Sequence, residues 1–436
     1  MLTAFVRAFR TPDLRRKLLF TLAIMALFRL GSFVPTPGVD YQAVRTCVDQ
    51  VRNSDQSSLY QLVNLFSGGA LLQLSVFALG IMPYITASII IQLLTVVIPR
   101  FEALKEEGQT GTSKLTQYTR YLTIGLAVLQ STTFVAIART PGGLFGASCQ
   151  ENLIPDDNLV TILIMVITMT AGTGLIMWLG ELITEKGVGN GMSLLIFTSI
   201  AATFPSSIWA IRTQKSTDIM LMVIGIGLVV MTFVVFVEQC QRRIPVQYAK
   251  RMVGRRMYGG SSTYIPIKVN MAGVIPVIFA SSLLYLPALI AQFQRSNQAG
   301  WVDWINTHLV RGDHPIYIIA YFVLIVFFTF FYVSITFNPD EVAENMKKYG
   351  GFIPGIRAGR PTAEYLDYVL VRIITPGALY LGLVSLIPLI ALILVQANQN
   401  FPFGGTSILI VVGVGLETVK QIESQLQQRH YEGFLR

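Results

Sequence analysis

Between Leu65 and Pro99 the chain reads LFSGGALLQLSVFALGIMPYITASIIIQLLTVVIP, apolar enough for a membrane interior yet broken by Gly68, Gly69, Gly80 and Pro83. A plain anchor helix is smooth, because glycine and proline weaken a helix and proline removes a backbone donor that lipid cannot replace. Such breaks are tolerated at membrane depth where protein encloses them or where they line a wet cavity. The segment therefore points to a chain that conducts something.

Composition supports a polytopic membrane protein, with 53% hydrophobic and 13% charged residues over 436 positions. Ten apolar stretches stand out, and charge is confined to the gaps between them: Leu18–Val34, Phe77–Ile98, Tyr121–Ala138, Leu159–Leu179, Met192–Trp209, Ile219–Val237, Met271–Ala291, Ile316–Thr336, Ile373–Val395 and the short Thr406–Leu416. The first follows a basic start (Arg7, Arg10, Arg15, Arg16, Lys17) like that of a signal peptide, but it lacks a small-residue cleavage site and reads as retained. With the N-terminus in the cytoplasm, 25 of the 33 Lys and Arg residues fall on the cytoplasmic side and seven on the other, with Arg29 inside a span. This bias places both termini in the cytoplasm. The net charge of +9 follows from that topology and is no sign of nucleic-acid binding. Arg29 lies past the midplane of the first span, where its side chain can snorkel to the outer interface.

Ten spans divide into two sets of five, residues 1–209 and 210–436. Because five is odd, the second set enters the membrane in the opposite sense, as in inverted-repeat folds. No internal sequence repeat is visible, so this division rests on counting. The expected fold is all-α: ten transmembrane helices in two pseudo-symmetric inverted five-helix halves.

Two cytoplasmic gaps are long. QRRIPVQYAKRMVGRRMYGGSSTYIPIK carries seven basic residues and no acid, with glycines dividing it into short extended pieces and Arg255–Arg256 at the expected tip. Topogenic charge alone needs only a few residues beside the helix ends, so charge at the tip among Tyr248, Tyr258 and Tyr264 favours a docking surface. The second, FNPDEVAENMKKYGGFIPGIRAGRPTAEYLDYVL, has a helix start at Asn338–Asp340, a stop at Gly350–Gly351 and a turn-rich tip presenting Arg357 and Arg360.

Familiar chemistry is missing. No expected span holds a mid-membrane Asp, Glu, His or Lys of the kind ion-coupled carriers use. There is no P-loop, HExxH or GxSxG motif, and the three cysteines lack metal-type spacing, so neither an enzyme nor a cofactor or metal is expected. Cys47 and Cys149 both fall on the external side; two unrelated free thiols are favoured over a bridge, because nothing in the sequence sets their separation. What the spans offer is apolar side chains beside helix breaks: Ile81 and Ile85 around Pro83, Met192 and Ile196 after KGVGNGMS, Ile278 after Pro276, and Ile410 after Gly404–Gly405. One such pair is ordinary packing; their repetition beside breaks suggests a constriction.

Several long motifs occur in order from the first span to the tail: FRLGSFVPTPGVD, NLFSGGALLQLSVFALGIMPYITASIIIQLL, LTQYTRY, ITEKGVGNGMS, QRRIPVQYAKR, NMAGVIPVIFASS and GGFIPGIRAGR. On these the chain resembles the SecY family, channel subunits of bacterial Sec protein translocases. The resemblance implies a polypeptide channel of the plasma membrane, passing unfolded chains outward and releasing hydrophobic segments sideways into lipid. It implies a pore ring of Ile81, Ile85, Met192, Ile196, Ile278 and Ile410, in which Met192 departs from the usual isoleucine. It implies a plug around Asn64, Leu65, Phe66, Ser67, Gly68 and Gly69. A lateral gate between the second and seventh spans would carry Gln92, Asn270, Ser281 and Ser282. Arg255, Arg256 and Arg357 would dock the ribosome and the SecA motor, with SecE and SecG as membrane partners and signal-bearing precursors as clients. Ala358 and Arg360 depart from the family's usual tip. A secondary solute transporter is the alternative reading, and a passive assembly scaffold the third.

Overall fold

The computed structural model describes residues 9, 11–52, 70, 74–139, 153–155, 158–214, 217–248, 251–253, 256–258, 262–293, 304–305, 308–309, 314–395 and 405–433. Every apolar stretch falls on a helix: α1 (Pro12–Gly31), α3 (Met82–Val97), α5 (Gln109–Arg139), α6 (Leu159–Lys186), α7 (Gly191–Gln214), α8 (Thr217–Gln239), α9 (Ile275–Phe293), α10 (Pro315–Thr336), α12 (Arg360–Val395) and α13 (Gly405–Gly433). Short helices α2 (Tyr41–Arg52), α4 (Pro99–Glu106) and α11 (Pro339–Lys348) lie between them. Among the described residues five helices are long and apolar enough to cross a membrane; α3 and α4, bent by 104° at their junction, reach that length only when counted together.

The break in the opening segment has a local cause. Residues 74–81 form turns, Gly80 takes a left-handed φ of 57°, and Pro83 sits in the first turn of α3, where no N–H is needed. The span expected from Phe77 therefore starts only at Met82. Ahead of it, Leu74 holds φ at +45°, the one left-handed non-glycine residue among those described. Its carbonyl accepts from Thr36 N (3.0 Å) and Thr36 Oγ1 (2.7 Å), and Val76 N donates to Val34 O at 2.9 Å. The chain after α1 is thereby stitched to the chain entering α3.

The long gaps are built structures. β1 (Gln241–Tyr248) pairs antiparallel with β4 (Ser262–Lys268), and between them β2 (Arg251–Val253) pairs with β3 (Arg256–Tyr258). β5 (Gly351–Phe352), from the other long gap, adds to the free side of β1 at Gln247 and Tyr248. Strands thus supplement the helical expectation, and they join the two gaps into one sheet. Ile244, Val246 and Ile267 point inward onto α11, α12 and the end of α10, in a core with Met346, Leu366 and Leu370. Pro245, which cannot donate to a ladder, sits where β1 has a partner on one side only. The expected start of α11 holds, since Asn338 Oδ1 accepts from Asp340 N (3.1 Å) and Glu341 N (3.4 Å).

At the end of the bundle away from the sheet, α2 lays Ala43, Val44 and Cys47 against Phe134, Val135 and Ala138 of α5, Met165 of α6, and Leu153. Asp40 N donates to Leu153 O at 3.0 Å. Cys47 is fully buried and disulfide-bonded, which overturns the favoured reading of a free thiol at this position. The separation that sequence could not supply comes from this packing of α2 onto two distant helices. Cys149 lies outside the described residues, and Cys240 is free.

Candidate constriction and gate

Six apolar side chains from four parts of the chain converge. Ile81 ends the turn before α3, and its carbonyl accepts from Tyr84 N and Ile85 N. Asn190 Oδ1 accepts from Met192 N (3.1 Å), starting α7 so that Met192 and Ile196 project one turn apart. Ile278 comes from the first turn of α9 and Ile410 from the first turns of α13. Ile81, Ile196, Ile278 and Ile410 are buried in one cluster, against which Ile85 and Met192 pack. The same cluster includes Ala70, together with Phe28 and Phe77, whose rings stack at 5.8 Å. The plug residues Asn64 to Gly69 lie outside the described residues.

The cluster is closely packed: Ile81 is 2% exposed and Ile410 is 1% exposed. A dry apolar constriction of this kind blocks ions because water leaves it. The arrangement is that of a packed apolar constriction.

The barrier continues into a seam between helices. Ile89 of α3, with Ile85 and Leu93 beside it, shares a core with Val277, Phe279, Ala280 and Leu284 of α9. α5 flanks α3 and α10 flanks α9. The four polar residues expected at the gate do not bond to one another in this state. Gln92 is exposed, and Ser281 Oγ donates to Ile278 O within its own helix at 2.9 Å. The hydroxyl oxygen of Ser282 is buried without a hydrogen-bond partner. Asn270 is 4% exposed and donates from Nδ2 to Glu238 Oε1 at the end of α8, and to Gly273 O at 3.2 Å. Glu238 was absent from the residues expected from sequence; an acid at the end of a span reads as an interfacial charge, and its partner is 32 positions away. A further contact crosses the seam, where Lys105 Nζ of α4 donates to Ile335 O in the last turn of α10 at 3.3 Å.

At the sheet, Arg357 is exposed in a turn between Gly355 and Gly359, and its carbonyl accepts from Thr362 Oγ1 at 2.8 Å. Arg256 lies in β3, and Arg255 lies outside the described residues. On the outer face, the Arg243 guanidinium sits 4.8 Å from the centre of the Tyr264 ring, and Phe352 opposes Gln247. Among the described residues, no three His, Cys, Asp or Glu side chains gather as a metal site would require.

The SecY family model matches residues 75–419, a stretch that includes the constriction, both sides of the seam and the sheet. The chain belongs to the SecY family. Protein translocase subunit SecY of Streptomyces galbus is 68% identical over 441 residues, covering all of both chains. The corresponding subunit of Mycobacterium tuberculosis (strain H37Rv) is 58% identical over 443 residues, again covering all of both. Among solved structures, one described as a protein conducting channel superposes with a TM-score of 0.63 at 18% identity, covering 94% of this chain and 91% of the other. Sec61 from a canine ribosome-channel complex gives 0.60 at 18% identity, with the same coverage. At those identities the likeness establishes the shared fold.

Proposed function

We propose that this chain is the central protein-conducting channel of a Sec translocase, passing unfolded polypeptides across the bacterial plasma membrane and releasing transmembrane segments sideways into lipid. The observation that carries the reading is the convergence of Ile81, Ile85, Met192, Ile196, Ile278 and Ile410 on one dry constriction that adjoins the α3–α9 seam. A barrier next to a seam between two helices can open in two directions, along the pore and toward lipid. The chain has ten spans in two inverted halves, residues 1–209 and 210–436, with both termini in the cytoplasm. That sidedness is supported by the basic bias of the loops and puts the sheet on the cytoplasmic side.

Asn64 to Gly69 act as the plug, with Ala70 seated in the ring cluster. Gln92, Asn270, Ser281 and Ser282 line the gate. Arg255, Arg256 and Arg357 dock the ribosome or the SecA motor, and SecE and SecG complete the complex. The chain performs no bond-making chemistry and holds no cofactor; energy comes from the motor or from translation. Proteoliposomes containing this chain with SecE should import a signal-bearing precursor when SecA and ATP are added, whereas a precursor lacking a signal stays outside. Equal import of both, or none of either, refutes the reading.

A further inference from the structure

The seam helix and the sheet are joined by very little chain. β4 ends at Lys268, α9 begins at Ile275, and residues 269–274 alone lie between them. This linker is held on three sides. Val269 N donates to Cys240 O at 3.1 Å, closing the base of the β1–β4 hairpin. The Val269 carbonyl abuts Gly377 of α12 so closely that a Cβ there would overlap it. Asn270 then bonds through Nδ2 to Glu238 and to Gly273 O, where the backbone turns at a φ of +62° before α9 starts. Below this turn the chain is pinned; above it α9 runs with Val277, Phe279, Ala280 and Leu284 in the core it shares with Ile89 of α3.

Glu238 is an unexpected residue at this point. It occupies the last turn of α8, where exposed carbonyls make a negative charge unfavourable, and it is partly withdrawn from solvent. Asn270 Oδ1 is buried with no hydrogen bond, so this amide does not gain a full set of partners in return. We propose that Glu238 is a positioning residue that clasps Asn270 and fixes the pivot of α9, so that the closed seam is held from the cytoplasmic base as well as by apolar contact along its length. The inference rests on the channel reading above. It also explains how a partner seated on the sheet reaches the gate, since a push on β4 arrives within two residues at the clasped amide.

The test uses the full chain reconstituted with SecE. Resting ion conductance in planar bilayers reports how often the barrier opens, and import of a precursor with a weakened signal reports how stringently it is opened. Glu238→Ala and Asn270→Ala should each raise resting conductance about tenfold, the shift expected from losing one hydrogen bond to a charged group. Both should admit the weakened precursor. The double variant should be no leakier than Asn270→Ala, because both substitutions remove the Glu238–Asn270 bond and Asn270→Ala alone also removes the bond to Gly273 O. Glu238→Gln keeps an acceptor but loses its charge and should leak about threefold more than the parent. If Glu238→Ala fails to accumulate, Glu238→Gln with Asn270→Ala supplies the same comparison: adding the glutamine should not increase the leak of the alanine variant. Additive leaks in either double variant, or a folded Glu238→Ala with parental conductance and stringency, overturn the clasp. Failure of the unmodified chain to import a proper precursor overturns the channel reading instead, so the two failures are distinct.

Discussion

Ile278 is 5% exposed in an apolar cluster, so the consequence of changing it follows from hydration. An asparagine there has donors and acceptors that only water can satisfy, and leaving them dry costs about 1–3 kcal/mol. Ile278→Asn and Ile81→Asn should each wet the constriction, raise resting ion leak by roughly tenfold or more and relax signal stringency. Single-channel recording checks this, and unchanged leak in both variants removes these residues from the barrier. The convergence of these apolar side chains was legible because each stands beside a helix break, a local signal. Glu238 was not, because its meaning depends on Asn270, which the fold brings to it from beyond an entire hairpin. Ser282 and Gln92 illustrate the same limit from the other side: their polarity is plain in the sequence, but not that one is buried without a partner and the other exposed.

Helices were legible where hydropathy carries them, and their ends moved where turn chemistry intervened, as at Gly80 and Pro83. β5 could not be read, because two residues carry no periodicity, yet it joins the two long gaps. That junction ties the Arg357 tip to the basic hairpin through one sheet. Arg357→Glu should therefore slow SecA-driven import about tenfold at low salt, an effect that shrinks as salt rises and leaves expression intact. Import at the parental rate across that range of salt excludes Arg357 as a motor contact. At the seam, Lys105 places a cation on the carboxyl-terminal carbonyls of α10. An exposed contact of this kind is worth about 0.3–1 kcal/mol, so Lys105→Ala should raise resting conductance roughly two- to fivefold. A leak as large as that of Ile278→Asn would mean that Lys105 does more than bridge the seam.

Across the whole molecule the two ends are secured differently, and the difference bears on orientation. The sheet end is held by a sheet and a hydrophobic core, whereas at the far end α2 is fixed by the buried, disulfide-bonded Cys47. The sequence has three cysteines and Cys240 is free, so Cys149 is predicted to be the partner of Cys47. A bridge of this kind lasts on the oxidising side of the membrane and is lost in a reducing cytoplasm, which makes it a marker of sidedness. Peptide mapping under non-reducing conditions should find the Cys47 and Cys149 peptides joined. In intact cells a membrane-impermeant maleimide should label none of the three thiols, because a disulfide has no thiolate to attack and the proposed orientation turns Cys240 to the interior. Permeabilisation should expose Cys240 alone, and reduction under denaturing conditions should then expose the other two. Cys47→Ser, Cys149→Ser and the double variant should lose the same amount of thermal stability, since each removes one cross-link. Labelling of Cys240 from outside would invert the proposed topology. Full labelling of Cys47 in denatured, unreduced protein would show that α2 is held by packing alone.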